Sequence, residues 1–118
     1  MSFLDAAILV SAMVAALVSG LYAGFGLRAD TDLDKKAELT FAAFMWVAAL
    51  LGVSFGGPLG LGMVNGTQVL LICWSIMHFP QMRTLETPMP RLFPLYTLVI
   101  SIVCVALMAI GVVVSGLP

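Results

Sequence analysis

The stretch Gly56-Gly57-Pro58-Leu59-Gly60 lies near the middle of a long apolar segment, residues 40–79. As one straight helix this segment would be about 60 Å long, whereas the hydrocarbon core of a bilayer is only about 30 Å thick. Glycine permits unusual backbone dihedral angles, and proline can begin a helix but cannot continue one. The sequence therefore predicts two helices in this segment, joined by a tight Gly-Gly-Pro hairpin.

Two further apolar segments flank this pair, and each is long enough to cross a bilayer once. With 62% hydrophobic and 9% charged residues, the chain of 118 residues leaves no room for a soluble domain. We therefore expect an all-α integral membrane protein in which four transmembrane helices form an antiparallel bundle. The predicted helices cover roughly residues 5–27, 32–56, 59–79 and 92–117 of a single transmembrane domain, residues 1–118.

Basic residues occur only in two polar loops, residues 28–39 and 80–91. They are Arg28, Lys35, Lys36, Arg83 and Arg91. Two crossings by residues 40–79 place both loops on the same side of the membrane. The positive-inside rule makes that side cytoplasmic and leaves both chain termini outside, as expected for a protein of the bacterial inner membrane. A net charge of −1 argues against a nucleic-acid partner.

Small residues recur along the predicted helices at steps of three and four, which predicts packing seams. Lipid tails are as apolar as leucine, so transmembrane helices associate where small residues let their backbones approach closely. The partners of these seams are either helices of the same chain or other transmembrane subunits, including copies of this chain, with lipid around them. The seam residues are Ala16, Gly20, Gly24, Gly62, Gly66, Ser101 and Gly111.

The strongest polar cluster in a predicted helix consists of Asn65, Thr67, Gln68 and Ser75. Asn65 and Gln68 are three residues apart and share a helix face. A carboxamide in hydrocarbon needs a hydrogen-bond partner, so these residues either tie helices together or form a substrate or pore site. The apolar stretches 6–27, 40–79 and 92–117 contain no charged residue, which argues against an ion site or proton relay. Glu38 is expected in the headgroup region, before the second helix enters the bilayer.

His78 is the only histidine and lies at the end of the third predicted helix. It is a candidate to contact a haem, a quinone or a pigment, and the alternative is an amphipathic side chain at the membrane interface. We predict no cofactor, because a haem would need a second axial ligand. We predict no metal either, because the spacing of Cys73 and Cys104 matches no metal-binding pattern.

Ile76-Met77-His78-Phe79 ends one helix and leads through a short basic loop into the last helix. This arrangement is similar to the small fourth subunits of bacterial haem-copper oxidases, over these few residues. The resemblance implies an accessory role in an energy-transducing membrane complex.

Two functions remain open at this point. The first is a non-catalytic small polytopic subunit that stabilises a larger membrane complex, respiratory or photosynthetic, and it predicts an apolar interior. The alternative is a small homo-oligomeric transporter or channel for a neutral solute that uses Asn65 and Gln68, which predicts a water-filled cavity at those residues. The sequence shows no combination of nucleophile, base and metal ligands, so we do not expect an enzyme.

Overall fold

The computed structural model describes residues 3–26, 32–79 and 92–115. These residues form four helices, α1 (Phe3–Gly26), α2 (Asp32–Phe55), α3 (Gly57–Met77) and α4 (Phe93–Ser115). The all-helical fold and the number of helices agree with the prediction. The predicted loop residues 28–31 and 80–91, and residues 116–117 of the fourth predicted helix, lie outside the described residues.

All four helices are long and apolar enough to cross a membrane. Their apolar spans contain 20 to 22 residues each, with high mean hydropathy and few charges. Large apolar side chains cover the outside of the protein, and Met13, Leu17, Leu50 and Val113 are each more than 60% exposed. A continuous apolar surface of this extent is unusual on a soluble monomer. The four helices therefore suit a membrane-spanning protein.

Gly56 alone separates α2 from α3. Gly56 and Gly57 have positive φ angles of 62° and 59°, a conformation that only glycine adopts readily. Pro58 follows in the first turn of α3, where its missing N–H removes no helical hydrogen bond. This explains why α3 begins two residues before the predicted start at residue 59.

The backbones of α2 and α3 approach closely at Gly52 and Gly60. A Cβ atom on Gly60 would collide with the carbonyl oxygen of Gly52, and a Cβ atom on Gly52 would lie 2.6 Å from Val64 Cγ2. Any larger side chain would push the two helices apart. Gly60 does not belong to the predicted seam.

Helix α1 contacts the other three helices, and α3 also contacts both α2 and α4. Near the Gly56 end, the core of the bundle is an apolar cluster that includes Leu4, Ile8, Val64 and Met108. A second cluster around Ala15, Met45 and Leu71 fills the middle. Toward the other end of the bundle, the buried side chains become polar.

Candidate functional site

Buried polar side chains from all four helices meet at the end of the bundle away from Gly56. We call this set the polar layer, and each member is less than 10% exposed. Its members are Tyr22 of α1, Glu38 of α2, Ser75 and His78 at the end of α3, and Thr97 of α4.

Glu38 and His78 form a hydrogen-bonded pair inside the polar layer. His78 Nε2 lies 2.7 Å from Glu38 Oε1, and the Trp74 indole N–H donates to Glu38 Oε2 at 3.0 Å. Both carboxylate oxygens therefore have a partner. The side chain of Glu38 is buried between the helices of the bundle, which the sequence did not predict. The second apolar span, Lys36–Phe55 of α2, includes Glu38.

The geometry of this pair determines how many protons it holds. The carbonyl oxygen of Trp74 can only accept, so His78 Nδ1 carries a proton and donates it across 2.8 Å. The contact between Nε2 and Oε1 is a hydrogen bond only if one more proton lies between the two atoms. The pair is then either imidazolium with carboxylate or imidazole with carboxylic acid. Both forms have zero net charge, so the pair brings no net charge into the interior.

Three hydroxyl groups form the other half of the polar layer. The Tyr22 hydroxyl lies 3.2 Å from Ser75 Oγ and 2.9 Å from Thr97 Oγ1, and Ser75 Oγ lies 2.6 Å from Thr97 Oγ1. Thr97 donates to the carbonyl oxygen of Pro94 at 3.0 Å, so Ser75 donates to Thr97 and Tyr22 donates to these two oxygens. In this order each hydroxyl proton has an acceptor, and the hydrogen bonds join α1, α3 and α4.

Aromatic rings enclose the Glu38–His78 pair. The Phe41 and Trp74 rings stack with centroids 4.1 Å apart and an angle of 3° between their planes. Tyr22 lies with its centroid 4.9 Å from the His78 ring and 4.8 Å from the Phe93 ring. These rings keep water away from the pair and strengthen its electrostatic interactions.

The residues of the predicted polar cluster separate in the structure. Gln68 is fully buried and its amide donates to the carbonyl oxygen of Ser11 on α1 at 2.6 Å. Thr67 is buried and donates to the carbonyl oxygen of Val64 in its own helix. Ser75 lies two turns beyond Gln68, near the end of α3, and belongs to the polar layer. Asn65 is half-buried on the flank of α3.

His78 uses both ring nitrogens within the chain, so an axial bond to a haem from Nε2 would displace Glu38. The described residues contain no group of three or more His, Cys, Asp or Glu side chains that could hold a metal ion. Cys73 is exposed and Cys104 is buried, and neither forms a disulfide.

The predicted seam residues divide into two groups. A Cβ atom on Gly111 would lie 3.1 Å from the Leu4 backbone, so this glycine lets α1 and α4 approach closely. Ser101 is buried and Ala16 is half-buried. A Cβ atom on Gly20 would lie 3.8 Å from Trp46 Nε1, while among the described residues no atom from elsewhere in the chain lies within 4 Å of that position at Gly24, Gly62 or Gly66.

The sequence analysis missed the partnership of Glu38 with His78. Glu38 begins a heptad pattern of buried residues on α2 that continues through Ala42, Met45, Ala49 and Gly52. This pattern places Glu38 on the inward face and could have revealed its burial.

The described residues thus define an all-helical protein with four helices suited to a membrane and a packed polar layer at one end. Comparison with known protein families, with curated proteins and with solved structures finds no match to this chain. The functional argument therefore depends on the contacts of the chain itself.

Proposed function

We propose that this chain is a non-catalytic small polytopic subunit that packs into a larger membrane complex through the outer face of α3. The observation that carries the proposal is the open space at Gly62 and Gly66, where no atom from elsewhere in the described part of the chain lies within 4 Å of a Cβ position. Cys73 lies on the same side of the helix, two turns beyond Gly66, and is exposed. We call Gly62, Gly66 and Cys73 the α3 face.

The α3 face suits a helix of another subunit better than it suits lipid alone. Small residues let a second helix backbone approach closely, and close packing is a principal means by which transmembrane helices associate. On the α2 side of α3 this purpose is already served by Gly52 and Gly60 within the chain. The α3 face offers the same kind of surface without a partner from the described residues.

The interior favours the subunit over the alternative of a transporter. Gln68, which the transporter hypothesis requires at a solute path, is fully buried and donates to Ser11 on α1. The hydroxyl groups of Tyr22, Ser75 and Thr97 bond to one another. The interior is more polar than the subunit hypothesis predicted, but these polar groups serve to join the helices of the chain.

The proposal includes an antiparallel arrangement in which Gly56, Gly57 and Pro58 form a hairpin between α2 and α3. Contacts between the two helices support it, because Gly52 meets Gly60 next to the break and Glu38 meets His78 far from it. With the basic loops in the cytoplasm, the termini and this hairpin lie outside the inner membrane of a bacterium. Cysteines placed at positions 28 and 91 can be labelled from either side of the membrane. If the two positions were labelled from opposite sides, this topology would be refuted.

Site-specific crosslinking tests the α3 face directly. A photoreactive amino acid is placed at position 73 of the full chain at native expression level, and the matched control carries it at position 113 on α4. Val113 is 79% exposed and so samples the surrounding lipid. We expect position 73 to crosslink to a defined protein partner and position 113 to give lipid adducts.

A pair of substitutions tests the same surface by steric exclusion. Gly66→Leu adds a side chain where the chain leaves space, and Ala109→Leu adds the same group to the exposed face of α4. We expect Gly66→Leu to release the partner while the monomer stays folded, and Ala109→Leu to leave the complex intact. The proposal would be refuted if position 73 crosslinked only to lipid and the Gly66→Leu variant still assembled with its partner.

A further inference from the structure

Three buried polar atoms inside the bundle have no hydrogen-bond partner among the described residues. They are Ser11 Oγ of α1, Gln68 Oε1 of α3 and Ser101 Oγ of α4, and all three residues are fully buried. A buried polar group without a partner is costly, and in a protein surrounded by lipid the cost is high. Three such atoms on three different helices indicate a shared partner that is not part of the chain.

Other buried hydroxyl groups of the bundle are satisfied within their own helices. The hydroxyl groups of Ser19 and Thr67 donate to carbonyl oxygens three or four residues earlier, at 2.7 and 2.6 Å. This local bond is a common way to satisfy a hydroxyl group inside a helix. Ser11 and Ser101 do not make it. Their hydroxyl groups therefore require a partner outside their own helices.

The three residues are neighbours in space. The Gln68 amide nitrogen donates to the backbone carbonyl oxygen of Ser11 at 2.6 Å. The Cys104 thiol lies beside the Ser11 side chain, and Ser101 is one turn from Cys104 on the same buried face of α4. A thiol is a weak donor, and Ser11 Oγ remains without a hydrogen bond. None of the three polar atoms reaches another directly, so only a bridging molecule can join them.

Apolar residues enclose this level of the bundle on both sides. On α3, Gln68 lies one turn from Val64 in one direction and one turn from Leu71 in the other. Both residues are fully buried, and they belong to the two apolar clusters of the core. A molecule bound beside Gln68 is therefore small and exchanges slowly with the solvent. An enclosed site of this kind does not form a path for a solute.

We propose that Ser11, Gln68 and Ser101 form a binding site for one water molecule, which joins α1, α3 and α4. The site requires a ligand that donates to an amide oxygen and accepts from hydroxyl groups, and water is the smallest molecule that does both. The water donates to Gln68 Oε1 and accepts from the two serine hydroxyl groups. These are the three hydrogen bonds that are usual for a buried water. All three side chains are neutral, so the site favours a neutral ligand over an ion.

The bound water satisfies the polar atoms without adding much stability. Its hydrogen bonds are nearly as favourable as direct ones, but the loss of its freedom offsets part of that gain. An apolar side chain that displaces the water together with the Gln68 amide can therefore leave the stability unchanged. The site goes beyond the proposed function and does not depend on it, because the α3 face lies on the outer surface.

A count of the long-lived waters of the purified full chain tests the site. Oxygen-17 magnetic relaxation dispersion in detergent micelles counts water molecules that stay bound for longer than the micelle tumbles. Exchanging hydroxyl protons do not contribute to this signal. We expect at least one such water in the unsubstituted chain. The double variant Ser11→Ala, Ser101→Ala leaves only Gln68 to hold the water, so the count should fall by one, because a buried water needs at least two partners.

The double variant Ser19→Ala, Thr67→Val is the matched control. It also removes two buried hydroxyl groups, but these bond within their own helices, so the count should stay unchanged. If the unsubstituted chain held no long-lived water, the proposal would be overturned whether or not the variants fold. An equal number of long-lived waters in the two double variants would also overturn it.

Discussion

Replacing His78 by alanine should destabilise the protein strongly, whereas replacing its partner Glu38 by glutamine should not. His78→Ala leaves Glu38 as a buried carboxylate whose Oε1 has lost its hydrogen-bond donor. Glu38→Gln keeps every contact. The glutamine amide donates to Nε2 of neutral His78, its carbonyl oxygen accepts from the Trp74 indole, and His78 Nδ1 still donates to the Trp74 carbonyl oxygen.

The structure sets the size of the difference. Removing His78 leaves a buried carboxyl oxygen without its partner, which costs about 1 to 3 kcal/mol for a neutral group and about 3 to 5 kcal/mol for a charged one. His78→Ala also removes the ring contacts with Tyr22 and Trp74, which contribute about 0.5 to 1.5 kcal/mol each. Glu38→Gln should cost less than about 1 kcal/mol, since it exchanges one satisfied hydrogen bond for another.

Equilibrium unfolding in mixed micelles measures this difference. The free energy of unfolding is obtained from helical circular dichroism as sodium dodecyl sulfate is added to a mild detergent. Met77→Ala is the matched control, because Met77 is adjacent in sequence but 67% exposed. If Glu38→Gln destabilised the protein as much as His78→Ala, the single shared proton inferred for this pair would be wrong.

Three further substitutions test other contacts by the same unfolding measurement. Gly60→Ala should lower the free energy of unfolding by about 1 to 3 kcal/mol, because the added Cβ atom meets the backbone of α2. Gly62→Ala should have no such effect, because its Cβ atom meets open space. Equal effects of the two substitutions would contradict the close approach of α2 and α3. Tyr22→Phe keeps the rings in place and removes one hydroxyl donor, so it should cost only about 0.6 kcal/mol; a loss of several kcal/mol would refute the order of hydrogen bonds given for the polar layer. Gln68→Leu removes the hydrogen bond to Ser11, but it also removes a buried carbonyl oxygen that has no described protein partner. The free energy of unfolding of this variant should therefore equal or exceed that of the unsubstituted chain. A clear loss of stability would show that this oxygen is satisfied within the chain.

The helices could be predicted from the sequence because their signals are local. Long apolar segments and the glycine-proline break depend only on neighbouring residues, so the number of helices and an interruption within residues 56–60 followed directly. The precise start of α3 at Gly57 could not be predicted, because it depends on a glycine φ angle that the sequence does not reveal.

The site was harder to predict because it depends on the rotation of each helix about its axis. Glu38 stands close to lysines in the sequence, which suggested the headgroup region, yet its side chain turns inward to His78. Ser75 and Gln68 were both identified as polar residues in an apolar helix, but their partners Thr97 and Ser11 lie on other helices. Sequence spacing gives the face of one helix and does not give the element opposite it.

The neutral Glu38–His78 pair has a consequence for biogenesis. Glu38 leaves the ribosome 40 residues ahead of His78, so α2 reaches the translocon with an acidic side chain whose partner has not yet emerged. Transfer of an unpaired acidic group into lipid is unfavourable by up to about 2.5 to 3.5 kcal/mol at the centre of a helix, and less near its end. Emergence of α3, which brings His78 to Glu38, therefore makes lateral release of α2 into lipid more favourable.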